Sequence, residues 1–406
     1  VATEKEPRMN APLEGIRIVE IASYVAVPAA GTLLADLGAD VVKVEVPQGE
    51  IYRYALPVFL GYKTDFAEAP QFHMDNRGKR SLALDITRPG AHAALQKLID
   101  RADILLTNLL PSRLAKFGLD AETQRARRPE LIVAMLNGFG SVGPEASAPA
   151  FDYVAYWART GFMDVMHEPD APPAFQRPGI GDHAAALALV SGVLAALRMR
   201  DRSGEGQVVE TNLLHTGFYI QGNDASCSLV AQQDPPRHDR RRPINPLWNH
   251  YPTADGRWLF LSMVDSDRYF PKLCAAIGRP ELAAEERFTG VMNRLVNTEA
   301  LTAALAESFT TKTLAEWEAE FAGKDLIWAP VRTLGEAIHD PQAHLNGVFP
   351  TVEHPTLGKF QTISAPVKLS AHPMPANQPG PALGAHSREV LVEAGLSDDE
   401  IAAALG

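Results

Sequence analysis

The sequence predicts an α/β chain with a doubly wound, largely parallel first domain and a smaller α+β domain after it. Three observations carry this. β-rich runs and helical spacings alternate through roughly the first 150 residues. A Pro- and Arg-rich stretch, Gln232–Pro246, then breaks the pattern. The length of 406 residues exceeds one domain of ordinary size, at about 100 to 200 residues each.

In chain order, Gly15–Ala22 (GIRIVEIA) reads as a strand, Pro28–Leu37 has helical spacing, and Asp40–Val46 (DVVKVEV) is again β-rich. Strand, helix, strand over so short a stretch is the right-handed crossover between parallel neighbours. The alternation continues with a strand at Ser81–Asp85, a helix at Arg88–Arg101, a strand at Asp103–Asn108, a helix near Arg113–Arg127 and a strand at Glu130–Asn137. Helical stretches follow at Phe151–Thr160 and Asp182–Arg202, and Gly204 with Gly206 turns the chain into the β-rich Gln207–Asn212. Beyond the Pro/Arg stretch, His250–Thr253 and Arg257–Leu261 flank the turn triplet Ala254, Asp255, Gly256, which predicts an antiparallel hairpin and a second domain from about residue 240. Closing helices are expected at Ser387–Ala394 and after Ser397.

Hydrophobic residues make up 46% and charged residues 21%, the balance of a soluble globular protein, which excludes disorder and fibrous folds. A formal net charge of -11 argues against non-specific nucleic-acid or anionic-membrane binding, because both need a long-range positive field. Any anionic ligand must then meet a local basic pocket. The longest apolar run, Ala184–Leu197, falls short of the roughly 20 residues a bilayer span needs and reads as a buried core helix. Cys227 and Cys274 stand far apart without CxxC spacing, which fits a reducing cytoplasm and a core-filling role. Val1–Arg8 is polar, with no apolar segment of a secretory signal.

Gly138, Gly140 and Gly143 match GxGxxG after a strand, but a dinucleotide fingerprint needs a helix to begin inside the glycines, and here Pro144–Ser147 continues as loop. No metal site is expected, since the 12 histidines include no HExxH and no carboxylates have EF-hand spacing. GxSxG is absent too, which leaves no serine elbow.

Gly179, Ile180, Gly181 and Asp182 stand directly before an apolar helix that is expected to start at His183. One reading makes Asp182 the N-cap. The other makes it a nucleophile: a helix N-terminus favours the ionised carboxylate, and neighbouring N–H groups supply an oxyanion hole. Arg77, Lys79, Arg80, Arg113 and Lys116 fall in loops at the carboxyl ends of strands, where open α/β sheets bind ligands, and together suggest a phosphate site. Arg237, Arg240, Arg241 and Arg242 are read either as a solvated linker or as a contact for an acidic group.

Taken in order, LEGIRIVEIA, LLADLGADVVKVE, NRGKRSLALD, ADILLTN, IVAMLNGFG, FDYVA, GDHAAALALVSGVLAALRMRDRSGEGQVVE and LGAHSREVLVEAGLSDDEI resemble the class III CoA-transferases, over roughly Pro12–Ala402. That family includes formyl-CoA, carnitine-CoA and mesaconyl-CoA transferases and the α-methylacyl-CoA racemases. The resemblance implies a Rossmann-like large domain from residues 1–205 with 380–406, and a small α+β domain at 241–340. It also implies linkers at 206–240 and 341–379 that thread through a partner subunit, hence an interlocked homodimer. The family's catalytic aspartate falls on Asp182. Its CoA contacts fall on Val25, Ala26, Asp75, Asn76, Arg77, Gly78, Lys79, Asn108, Leu109, Lys116, Asn137 and Gly138.

Two departures from the family pattern stand out. No glycine-rich loop occupies Pro243–Tyr251, where Trp248, Asn249, His250 and Tyr251 suggest a more rigid pocket with polar tips. Phe151 stands before Asp152 where racemases carry a histidine base. The resemblance therefore implies CoA transfer from an acyl-CoA to a carboxylic acid acceptor through Asp182, with no cofactor beyond CoA itself. The alternatives are a racemase-like proton transfer on a 2-methylacyl-CoA and a non-catalytic acyl-CoA-binding relative.

Overall fold

The computed structural model describes residues 11–374 and 376–406, so Val1–Arg8 lies outside the described residues. The chain forms two units. The larger takes the chain up to Phe162, then Phe175–Val230 and Pro341–Gly406; the smaller takes Met163–Ala174 and Ala231–Asp340.

The larger unit is built on six parallel strands: β1 (Arg17–Ile21), β2 (Asp40–Glu45), β3 (Arg80–Ala83), β4 (Ile104–Thr107), β5 (Ile132–Asn137) and β6 (Val208–Asn212). They run in the order β3-β2-β1-β4-β5-β6. Val19 of β1 faces Val42 on one side and Leu105 on the other, so β1 and β4 are neighbours although two strands separate them in sequence. The winding direction reverses between them, and that reversal opens a crevice at the carboxyl ends of the strands. Helices cover both faces, which is why β4 is buried along its whole length. The core joins Val19, Leu82, Leu95, Leu105 and Val133 to Leu391 and Ile401 of the closing helices. The C-terminal segment also satisfies the free edge of β3: Ser81 N–H donates to His386 Nδ1 and Ala83 N–H to Ser387 Oγ, each at 3.1 Å.

Several elements differ from the sequence expectation. The helix expected near Arg113–Arg127 is two helices, Pro111–Lys116 and Ala121–Arg127, the second capped by Asp120 accepting from Thr123 N at 2.9 Å. Phe151–Thr160 holds a π-helical turn, Tyr153–Ala158. The segments read as linkers carry structure of the larger unit: β6 and the helices Leu213–Ile220 and Gly222–Ala231 fall in 206–240, and the hairpin of β10 (Thr351–His354) and β11 (Gly358–Gln361) in 341–379. The Gly204–Gly206 turn leads the chain back into the sheet rather than out of the domain.

The long helix spans Ile180–Ser203, and it is not the buried core helix expected. One face packs on the helix Ala26–Asp36, β5 and β6, while Leu187 and Met199 on the other are 44% and 58% exposed. Among the described residues it is also the one helix long and apolar enough to cross a bilayer, by length and composition alone.

The smaller unit has an antiparallel sheet of β7 (Trp248–Pro252), β8 (Trp258–Ser262) and β9 (Trp328–Pro330), packed by Tyr251, Phe270, Phe288, Phe309, Trp317 and Phe321. Tyr251 is therefore a core residue whose hydroxyl donates to Pro246 O at 2.7 Å, not a polar tip of a pocket. Arg237, Arg240 and Arg242 pair with Asp164, Glu168 and Glu299. Cys274 fills this core as expected, whereas Cys227 is exposed and fills none.

Candidate active site

The loop after β1 and the loop after β4 are tied across the crevice. Asn108 accepts from Ser23 N at 3.2 Å and donates to Ser23 O at 2.8 Å, so Asn108 fixes the loop rather than projecting freely. Tyr24 adopts a φ of 67°, and its N–H donates to Glu50 at 2.6 Å. That turn delivers Val25 and Ala26 to the start of a helix, both buried. Beside these loops lies a cavity of about 310 Å³, lined by Ala22, Ser23, Leu109, Arg113, Lys116 and Phe117 among others. Arg113 and Lys116 are exposed on its rim, and among the described residues neither has an ion-pair partner.

Arg77 and Lys79, placed with the CoA contacts by resemblance, spend their side chains inside the protein. Arg77 makes a two-pronged ion pair with Asp36, with NH2 to Oδ2 at 2.6 Å and Nε to Oδ1 at 3.1 Å. Lys79 Nζ reaches Glu20 and Pro28 O at 2.8 Å, Asn76 Oδ1 at 2.9 Å and Asp75 O at 3.0 Å, more acceptors than its three N–H bonds can serve. Asn76 donates to Phe72 O and is fully buried. In this stretch Gly78 alone is exposed. Arg80 pairs with Asp40, Glu389 and Glu393, so the phosphate expectation narrows to Arg113 and Lys116. Asn137 donates to Glu210 at 3.2 Å and accepts from Gly140 N, and Gly138 O accepts from Leu214 N at 3.0 Å. Asn137 and Gly138 thus shape the loop after β5, and that loop opens no helix within the glycines.

Asp182 sits in the first turn of the long helix as its third residue, not at its cap. The helix begins at Ile180 because Gly179 takes a φ of 82°, a left-handed turn that suits a residue without a Cβ. The carboxylate that caps this end comes from Asp152, about thirty residues upstream: its Oδ2 accepts from Gly181 N at 3.2 Å, and Gly179 N–H also donates to it. Gly181 is needed for closeness, since a Cβ there would lie 2.9 Å from the Asp152 Cβ and 2.6 Å from the Tyr156 ring. Gly181 thus admits the cap.

Asp182 therefore has no capping bond, and its charge is not favoured as the sequence expectation had it. Burial first, then the negative charges of Asp152 and Asp75, push its pKa up to about 7, with His183 pulling the other way. His183 Nε2 lies 3.0 Å from Asp75 Oδ1. The other Asp75 oxygen is buried without a partner. Tyr52, in the turn Ile51–Tyr54, is held in its neutral phenol form by burial and by the charges of Asp75, Asp182 and Glu50. Asp152, Tyr52 and Glu50 thus join the site without having been singled out as functional from sequence, and His183 stood out only as the neighbour of Asp182 at the helix start. Asp152 had a local signal in its place in FDYVA.

A second cluster in the larger unit groups Glu68, His73 and His354, with Glu68 3.0 Å from His73 Nε2 and 3.8 Å from His354 Nε2. It is a poor fit for a metal ion. Gly380 N–H donates to His73 Nδ1 and Leu357 N–H to His354 Nδ1, which places each ring's proton on the Nε2 that a metal would need bare.

A protein-family model described as CoA-transferase family III matches residues 13–387. (R)-2-hydroxy-4-methylpentanoate CoA-transferase of Clostridioides difficile is 30% identical over 389 residues, covering 96% of this chain and 97% of that protein. Succinate–glutarate CoA-transferase of Agrobacterium fabrum is 32% identical, covering 95% and 96%. Among solved structures, a CAIB/BAIF family protein from Brucella suis superimposes with a TM-score of 0.83 at 30% identity, over 95% of this chain and 100% of that one. With a family model spanning nearly its whole length and relatives matched end to end, the chain belongs to CoA-transferase family III.

Proposed function

We propose that this enzyme transfers CoA through covalent intermediates on Asp182. Exchange between an acyl-CoA and a carboxylate follows from its family; the route through Asp182 is our reading. An Asp182 oxygen attacks the thioester carbonyl, the C–S bond breaks, and an acyl-aspartyl anhydride and CoA thiolate result. The thiolate attacks the aspartyl carbonyl, releasing the first carboxylate and leaving an aspartyl-CoA thioester. The acceptor carboxylate then attacks that thioester, and the freed thiolate takes the new acyl group and restores Asp182. Every step exchanges one acyl bond for another of similar reactivity, so positioning and charge stabilisation suffice.

The observation that carries this reading is the division of labour at the helix start. Asp152 does the capping, which leaves Asp182 desolvated and free of capping bonds, the condition of a reactive carboxylate. The crevice between the β1 and β4 loops, with Arg113 and Lys116 on its rim, is suited to the phosphates of CoA. The exposed apolar side chains Leu187, Met199, Tyr219 and Ile220 support a homodimer, and sedimentation tests that part: a monomer at micromolar concentration contradicts it. For the mechanism, Asp182→Asn in a folded protein should lose at least about a thousandfold of exchange while CoA affinity stays within about tenfold. Near-normal exchange would mean that Asp182 is not the nucleophile.

A further inference from the structure

We propose that His183 is a positioning residue for the attack by Asp182: an imidazolium paired with the buried Asp75 carboxylate that holds its neighbour in the ionised, attacking form. The inference rests on the reading of Asp182 as nucleophile. It concerns what keeps a desolvated carboxylate charged when the groups around it are mostly negative or neutral.

Three elements meet at the ring. Asp75, 1% exposed on the helix Pro70–Asn76, presents Oδ1 to His183 Nε2 at 3.0 Å. Gly179, in its left-handed turn, brings its backbone against the other side of the ring: a Cβ on Gly179 would stand 3.5 Å from His183 Nδ1. The buried Asp75 carboxylate at Nε2 favours the ring's second proton, while the side chain remains 39% exposed. Burial opposes that charge, and the Asp75 hydrogen bond and the negative charges outweigh it, so the His183 pKa is raised.

The groups facing this pair come from every side. Asp152 and Asp75 raise the Asp182 pKa, and His183 alone among its charged neighbours lowers it. Tyr52 and Tyr153 are held as neutral phenols, with Asp152 and Asp182 acting on Tyr153 against Arg177, and Glu50 acting on Tyr52. A histidine that is already an imidazolium cannot accept a proton, which separates this role from that of a general base. Its effect reaches the reaction through Asp182.

His183→Gln keeps a polar side chain at the position and removes the charge. Exchange is measured from pH 5.5 to 9 for wild type and variant, with Asp182→Asn alongside. Loss of the cation should raise the Asp182 pKa and move the acid limb of the pH profile upward by about one unit, read as roughly a tenfold loss at pH 6 that closes by pH 9. A superimposable profile, or a loss equal at every pH, overturns the proposal. Should the variant fail to fold, histidine C2–H exchange followed by mass spectrometry gives the titration of His183 in the wild-type enzyme. A midpoint above about 6.5 supports the ion pair with Asp75 and one at or below it overturns the proposal. If instead Asp182→Asn exchanges normally, the nucleophile reading itself falls. An inactive Asp182→Asn with an unmoved His183→Gln profile removes only the present inference.

Discussion

Two carboxylates meet at the first turn of the helix Ile180–Ser203, and their surroundings give them opposite characters. Asp152 is 2% exposed and accepts N–H bonds from the turn, which offset part of its burial, although burial still holds its pKa above the usual carboxylate value. Asp182 is set in the same turn, lacks a capping bond and is pushed up to about 7 by burial and by the charge of Asp152 itself. One anion caps the helix end, and its charge helps to raise the pKa of the other. A helix N-terminus alone does not decide what a carboxylate there does; which donors remain decides it.

The largest effect that would break this comparison is kinetic. Asp152→Asn should leave exchange within about tenfold, against the loss of about a thousandfold or more for Asp182→Asn. Neutralising Asp152 also removes a charge that raises the Asp182 pKa, so the acid limb of the exchange profile should move to lower pH. An Asp152→Asn enzyme as inactive as Asp182→Asn would merge the two roles.

Stability should run the other way. The folded Asp182 pKa is raised above its unfolded value near 3.8, so between about pH 4 and 7 the folded state binds more protons than the unfolded one and stability falls as pH rises. Asp182→Asn removes that cost. It should melt higher than wild type at pH 8, and the gain should vanish at pH 4, by calorimetry at both values. Asp152→Ala should melt lower, by about 1 to 2 kcal/mol, because it strips a cap and leaves buried N–H groups unpaired. Equal melting of Asp182→Asn and wild type at pH 8 would mean that Asp182 is better solvated than its surroundings indicate.

The smallest effect sharpens the comparison from the ligand side. Lys116→Ala should weaken CoA binding by about threefold to tenfold, more at low salt, while the maximal exchange rate and melting point hold. Arg77→Ala should instead unfold the protein more easily, by about 3 to 5 kcal/mol, because Asp36 would be left buried and unpaired. Titration calorimetry and thermal melts of the two variants distinguish a ligand contact from a structural ion pair.

The order of strands and helices was legible because each element of the larger unit keeps its own period, and the parallel sheet buries its strands on both faces. Asp182 was legible from its place before a long apolar helix. Its partners were not. The Asp152 cap arrives from about thirty residues away, and Asp75 reaches His183 across 108 positions, distances that no spacing rule covers. The helix start was placed late because Gly179, rather than a polar residue, ends the loop. Likewise nothing local separates Arg77 from Lys116. Their difference lies in Asp36, which the helix Ala26–Asp36 brings to one and not to the other.

The central claim is that chemistry happens on Asp182 and not on its capping neighbour. Incubation of the enzyme with an acyl-CoA, reduction or hydroxylamine trapping, and peptide mass spectrometry test it directly. The account predicts a single modified side chain, Asp182, formed only when acyl-CoA is present and absent from Asp182→Asn. Modification of Asp152, or an unmodified Asp182 in an enzyme that still turns over, would contradict it.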